Sequence, residues 1–156
     1  LGDGKLGLLV AQVVRLTGAD LTVVARRDRP RSLLAQWGIP SATAPDLDPG
    51  MADVVIDCTG SAEGFATALD LVRPRGAIIL KSTYAGLPEA DLTRVAVDEL
   101  RVIGSRCGPF GAALRLLSDG LVDPRPMIEA RYPLADAEQA LARAAQPGTL
   151  KVLLIP

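Results

Sequence analysis

Short, nearly unbroken apolar runs of strand length recur along this chain, and segments of helical character separate them. The clearest runs are residues 21–25 (LTVVA), 52–57 (ADVVID), 77–81 (AIILK) and 100–104 (LRVIG). A strand that is apolar at nearly every position must be covered on both faces, whereas a half-solvated antiparallel strand alternates apolar and polar residues. Helices fill the intervals. Residues 5–17 are apolar at nearly every position, with Gln12 and Arg15 spaced to share one side, and Gly18 stops the pattern; residues 31–37 end at Gly38, and residues 63–72 run up to the turn Pro74-Arg75-Gly76. The Pro- and Asp-rich stretch 40–50 reads as a loop. Strands that alternate with helices, in a sheet buried on both faces, define an α/β fold: a doubly wound parallel sheet with helical crossovers.

Beyond Ser105 the rhythm changes. A helix over 110–117 ends at Gly120, a proline-punctuated stretch occupies 122–133, a helix covers 135–145, and residues 150–155 (LKVLLI) form a terminal strand. At 156 residues the chain holds one domain with a real core, or one domain and an appendage. Its composition, 49% hydrophobic and 22% charged but only 3% aromatic, implies a compact aliphatic core. There is no internal repeat and no low-complexity tract.

A net charge of -1 creates no field that gathers nucleic acid or an anionic membrane, so neither is expected as a partner. No apolar run approaches the roughly 20 residues that span a bilayer. The opening Leu1-Gly2-Asp3-Gly4 has no initiator Met, basic n-region or apolar h-region, which makes a cytoplasmic address the expectation. Two cysteines, Cys58 and Cys107, and the absence of histidine leave no zinc site of Cys/His spacing to write, so no metal ligand is assigned and the thiols read as reduced.

Gly2-Asp3-Gly4-Lys5-Leu6-Gly7 fits G-x-G-x-x-G and opens directly into a helix, the context in which that pattern binds a dinucleotide. Gly2 permits the tight turn, Gly4 lets a pyrophosphate approach the backbone, and Gly7 allows close packing of helix and sheet. First-turn N–H groups and the positive helix end then meet the phosphates. Glycines in such a turn can also serve the turn alone; the strand and helix that follow on schedule favour the dinucleotide reading. Only Leu1 remains of the strand expected before Gly2, which is central in a doubly wound sheet. The sequence is therefore expected to be the downstream part of a longer chain.

About 20 residues past the glycines, NAD-binding domains place an acidic residue on the adenosine ribose. Here that position falls near Ala25, followed by Arg26 and Arg27. A small neutral residue leaves room for a 2′-phosphate, and a guanidinium matches phosphate in a fork geometry. The expected cofactor is NADP(H), with NAD(H) as the alternative; Arg29 and Arg31 continue the run, so a merely solvated loop is the competing reading.

With the glycine loop, Val54-Val55-Ile56-Asp57-Cys58-Thr59-Gly60, Arg73-Pro74-Arg75-Gly76 and Val102-Ile103-Gly104-Ser105, the chain resembles the medium-chain dehydrogenase/reductase family in its zinc-dependent alcohol dehydrogenase-like branch. Ala113-Leu114-Arg115-Leu116-Leu117, Tyr132-Pro133-Leu134 and Lys151-Val152-Leu153 resemble that family's closing segment. The resemblance implies a Rossmann NAD(P)-binding domain over 1–106 and, over 107–156, a segment that returns to a catalytic domain. Pyrophosphate contacts would map to Gly2, Gly4, Lys5, Leu6 and Gly7, and adenosine-side contacts to Ala25, Arg26 and Arg27. Thr59 and Gly60 would line the crevice, and Ser82, Ser105 and Cys107 would face the nicotinamide, with Lys81 departing from the small residue expected there. Zinc is implied only for the absent catalytic half. No catalytic residue is assigned, and Cys107 lacks the base or cation that would activate it as a nucleophile.

The resemblance further implies hydride transfer to or from a small alcohol or carbonyl substrate and a homodimer or homotetramer. Three alternatives stand beside it: a zinc-free quinone or enoyl reductase of the same family, a non-catalytic NAD(P)-sensing module, and a methyltransferase. The last would close the second strand with an acidic residue, which Ala25-Arg26-Arg27 does not offer.

Overall fold

Strands and helices alternate through two thirds of the chain in a computed structural model that describes residues 1–84, 86 and 89–156. In order they are α1 (Lys5–Arg15), β1 (Val23–Val24), α2 (Asp28–Gln36), β2 (Ser41–Ala42), β3 (Ala52–Asp57), α3 (Ala62–Leu71), β4 (Val72–Leu80), α4 (Leu92–Val97), β5 (Arg101–Gly104), α5 (Phe110–Ser118), β6 (Ile128–Pro133), α6 (Ala137–Ala144) and β7 (Lys151–Ile155).

The strands pair in parallel: β1 with β2, and β3 with β4 with β5, in registers such as Val55 opposite Ile78 and Ile78 opposite Val102. Leu1 and Gly2 join the two groups. The Leu1 nitrogen donates to the Ile56 carbonyl at 2.7 Å, Cys58 N–H to the Leu1 carbonyl at 2.9 Å, and Gly2 N–H to the Val24 carbonyl at 3.3 Å. The spatial order is thus β2, β1, Leu1–Gly2, β3, β4, β5. Strands are laid outward first on one side of Leu1 and then on the other, which creates a topological switch point with a crevice at the carboxyl ends. This is the doubly wound parallel α/β arrangement expected, of Rossmann type.

Around β1 both faces of the sheet are covered, whereas β5 is exposed at all four residues and Val54 of β3 is 51% exposed, so the burial expected from their apolar runs is not met there. Val23 and Ala25 point into a core with Leu8 and Ala11 of α1, Leu33 and Leu34 of α2, and Ile39. Val24, between them, packs on the opposite core, where Phe65, Ala68 and Leu69 of α3 meet Val55, Ile78 and Leu100. The two-residue period of a strand produces this division.

The first core also takes in Met127 and Leu150 from the last third of the chain, both essentially without exposure. Gln12 of α1, itself buried, reinforces the junction: its side-chain amide donates to the Asp123 carbonyl at 3.2 Å and accepts from Asp123 N–H at 2.7 Å. Residues 122–150 therefore share packing with α1 and α2. In the same part of the chain β6 and β7 form a separate parallel pair against which α6 lies.

Four elements differ from the sequence expectation, the first being α4 (Leu92–Val97), a helix in a stretch to which the sequence assigned no element. Ser41–Ala42 is a strand inside the stretch expected as a loop; it is too short to carry a periodicity and exists because Val23 N–H and Ala25 N–H donate to Pro40 and Ala42. Ile128–Pro133 is a strand within the proline-punctuated stretch, since its prolines lie before it or at its final residue, where no interior ladder bond is lost. The turn expected at Pro74-Arg75-Gly76 is an irregularity within β4: Arg75 adopts φ +62°, and the pairing jumps from Ala52 opposite Val72 to Val54 opposite Ala77. Among the described residues no helix is long and apolar enough to cross a membrane.

Candidate functional site

The crevice begins with the glycine loop. Gly2 takes φ +102°, a conformation that strains any residue with a Cβ, and a Cβ on Gly7 would overlap the Gly2 carbonyl oxygen. The fold itself demands both glycines. Gly4 is different: its backbone is extended at φ -80°, ψ -176°, and a Cβ there would meet nothing within 4 Å. Gly4 precedes α1 without a side-chain cap, and helix geometry leaves the N–H groups of Lys5, Leu6 and Gly7 without intrahelical acceptors. No acidic side chain occupies that first turn. Open space faced by unsatisfied donors at the positive end of a helix is what a pyrophosphate requires, so the residues present fit such a group.

Asp3 lies between these glycines and turns away from the open space. One of its carboxylate oxygens accepts from the N–H groups of Arg26 and Arg27, both at 3.0 Å; the other accepts from Arg27 Nε at 3.1 Å and from Arg27 Nη2 at 2.7 Å. Arg27 Nη2 also donates to the Asp3 carbonyl at 2.9 Å. Burial pushes the Asp3 carboxyl up, but the Arg27 guanidinium and the two amides outweigh it and hold the group below the ordinary carboxylate range.

The sequence expectation needs correction at two positions here. Ala25 is completely buried in the core with Leu8 and Leu34, so it does not border the crevice. Strand alternation, which puts Ala25 on the same side as Val23, was the available signal. The Arg27 guanidinium is taken up by Asp3. Arg26 is an exposed cation at this end, 77% accessible and 3.6 Å from Glu63 in the first turn of α3.

Across the switch point, Thr59 is exposed while its N–H and hydroxyl donate to one oxygen of Asp57 at 2.8 and 2.7 Å. Gly60 follows with φ +68°, and Ser61 caps α3 by accepting from Gly64 N–H. Asp57 is wholly buried, and its other oxygen accepts a hydrogen bond from the Tyr84 hydroxyl. Burial, together with that donation, pushes the Tyr84 phenol up, so it holds its proton at neutral pH. Neither Asp57 nor Tyr84 was a sequence candidate, and no local pattern links groups 27 residues apart.

Tyr84→Phe strands one oxygen of a buried carboxylate. Since a hydrogen bond to a charged group contributes about 1.5–3 kcal/mol, the variant is expected to lose about 2 kcal/mol, checked by its urea midpoint. An unchanged midpoint would contradict the role assigned to this bond.

At the far end Lys81 bends over the ends of β4 and β5. Its ammonium donates to the Arg106 carbonyl at 2.5 Å and reaches the Ser105 carbonyl and hydroxyl at 3.4 Å. Ser82 and Ser105 are half-buried beside it, and Cys107 is exposed. Burial pushes the Cys58 thiol up, away from a reactive thiolate. Two shallow depressions, of about 450 and 350 Å³, lie away from this crevice, along α2 and against residues 143–149. Among the described residues no group of three or more His, Cys, Asp or Glu could hold a metal ion.

A parallel doubly wound sheet, a glycine turn into α1 and a crevice at the switch point define a nucleotide-binding domain of Rossmann type. The chain belongs to the zinc-binding dehydrogenase family, which matches residues 6–119. It is 29% identical over 168 residues to 2-dehydro-3-deoxy-L-galactonate 5-dehydrogenase of Pseudoalteromonas atlantica, covering 99% of this chain and 49% of the relative. Among solved structures it is similar to L-idonate 5-dehydrogenase of Escherichia coli, with TM-score 0.88 and 25% identity over 99% of this chain and 48% of the other. It is likewise similar to a protein of Sinorhizobium meliloti described as a zinc-binding dehydrogenase and solved bound to NADP, with TM-score 0.86, 29% identity and coverage of 99% and 51%. The chain spans about half the length of the relatives it matches.

Proposed function

We propose that this chain is the cofactor-holding part of a zinc-type alcohol dehydrogenase-like oxidoreductase and that its crevice takes NADP(H). The observation that carries the reading is Gly4: a glycine that neither the backbone conformation nor the packing requires, set where first-turn donors face open space. Gly2, Gly4, Lys5, Leu6 and Gly7 would hold the pyrophosphate, Arg26 the adenosine end, Thr59 and Gly60 the middle of the crevice, and Ser82, Ser105 and Cys107 the nicotinamide end. When bound, the cofactor supplies or accepts a hydride. Lys81 keeps the loops after β4 and β5 in register, and Asp57 fixes Thr59.

NADP bound to the S. meliloti relative, and the name L-idonate 5-dehydrogenase (NAD(P)(+)) carried by an E. coli relative, support this cofactor class. Relatives named for sugar acids and polyols support a small polyhydroxylated alcohol or its carbonyl form as substrate. Residues outside this chain would supply zinc and the substrate pocket. We divide the chain at 106: residues 1–106 bind the cofactor, and 107–156 carry the chain back toward the catalytic portion while sharing the first core. A cytoplasmic homodimer or homotetramer completes the proposal.

Fluorescence titration with NADPH, NADH and S-adenosylmethionine tests it. Saturable binding of NADPH, tighter than NADH, is expected; binding of S-adenosylmethionine without either dinucleotide would overturn it.

A further inference from the structure

We propose that the two adjacent arginines at the end of β1 have separate tasks: Arg27 with Asp3 is a positioning clasp, and Arg26 alone reads a 2′-phosphate, in competition with Glu63. The inference rests on the reading of the crevice as an NADP(H) site.

Arg27 is committed on several sides. Its Nε and Nη2 grip the Asp3 carboxylate, and Nη2 also holds the Asp3 carbonyl. Engaging a phosphate with this guanidinium would leave the Asp3 carboxylate, only 13% exposed, short of its cation between two glycines of the pyrophosphate loop. A bare negative charge there would repel the ligand and lose the bidentate bonds that hold it. Asp3 also accepts from the backbone N–H groups of both Arg26 and Arg27, so the clasp ties the glycine loop to the turn between β1 and α2. The pyrophosphate and adenosine ends are thereby held as one unit. Breaking the clasp displaces both ends whichever dinucleotide is offered.

Arg26 is built for the opposite task. Its backbone is pinned by Asp3 while its guanidinium stands in solvent, and the neighbour it has there is Glu63 at 3.6 Å, 79% exposed. Arg26 precedes α2 and Glu63 opens α3, so the pair reaches across the mouth of the crevice from one side of the switch point to the other. A phosphate on Arg26 must displace the carboxylate and then face its charge. An exposed pair of this kind is weak, which makes it displaceable, yet it subtracts from phosphate affinity and leaves a ribose hydroxyl nearly unaffected. Glu63 is thus a specificity-determining residue that contacts neither end of the cofactor.

The test is the dissociation constant of NADPH and of NADH, by calorimetry, for the protein expressed at its natural length and for four variants. Arg26→Gln is expected to weaken NADPH about tenfold or more, the worth of a charged bidentate contact, and leave NADH within about twofold. Glu63→Gln should tighten NADPH about two- to fivefold, the range of an exposed ion pair, with little change for NADH. Asp3→Asn and Arg27→Gln should weaken both by a similar factor. Selective loss of NADPH in Arg27→Gln, or equal effects of Glu63→Gln on both ligands, would overturn the division. Arg26 and Glu63 lie at the surface, so their variants remain readable if the clasp variants fail to fold. Absence of binding by either dinucleotide to the unaltered protein would overturn the underlying reading, and the proposal with it.

Discussion

Gly7→Ala is expected to destabilise the fold by about 3 kcal/mol, the upper part of the range for overpacking, whereas Gly4→Ser should leave stability nearly unchanged and abolish tight cofactor binding. At Gly7 the added Cβ meets backbone: the Gly2 carbonyl oxygen, then the Gly2 carbonyl carbon at 2.9 Å, with the Cys58 Cβ at 3.7 Å behind. None of these is the free end of a flexible side chain, so the loop and α1 must separate. For a chain of this size the loss corresponds to roughly 6–12 °C in Tm.

At Gly4 the added atoms enter empty space from an extended backbone, and serine is a preferred residue before a helix. Its hydroxyl can accept from the first-turn N–H groups, the donors assigned to the pyrophosphate. Stability should therefore stay within about 0.5 kcal/mol, while NADPH affinity falls at least about tenfold. Thermal unfolding and calorimetric titration on the two variants check both halves. A Gly4→Ser variant that binds NADPH normally would remove the central observation behind the proposed function.

Leu150→Ala is expected to lose about 2–5 kcal/mol, as for other fully buried leucines. Leu150 is 1% exposed and belongs to the core of Leu8, Ala11, Leu33 and Leu34, so its truncation leaves a cavity beneath α1 and α2 rather than beside β7. Trp37, the chain's one tryptophan, packs against this core and reports on it by fluorescence. The urea transition seen at Trp37 should move to lower concentration as one step. A Trp37 transition that stays in place while a separate one shifts would show that the last third folds apart from the glycine loop.

Much of the architecture was legible. Residues 52–57 read as a strand because Val54-Val55-Ile56 is a β-branched run of strand character, and the strand spans Ala52–Asp57. The helix after the glycine loop, the glycine stops and the short strand near Val24 were legible for the same reason: local periodicity and chain-terminating residues act within a few positions. Ser41–Ala42 and Ile128–Pro133 were not, because pairing with a neighbour brought close by the fold creates these strands.

The site divides along the same line. Glycines at 2, 4 and 7 announce a loop that could cradle phosphates, since their lack of a Cβ is a property of the residue wherever it lies. Which of them the fold needs and which remains open depends on the approach of Gly2, Gly7 and Cys58 in space. Ala25, Arg26 and Arg27 announce a neutral or basic strand end, but their directions do not follow from composition. Strand alternation buries Ala25, and a carboxylate 24 residues away in sequence captures Arg27, leaving Arg26 to the solvent. The sequence by itself determined the fold class and the kind of ligand its glycine turn can meet, because both rest on local chemistry. Only the tertiary structure decided which charge faces that ligand, because hydrogen bonds and burial between distant residues set the direction of each side chain.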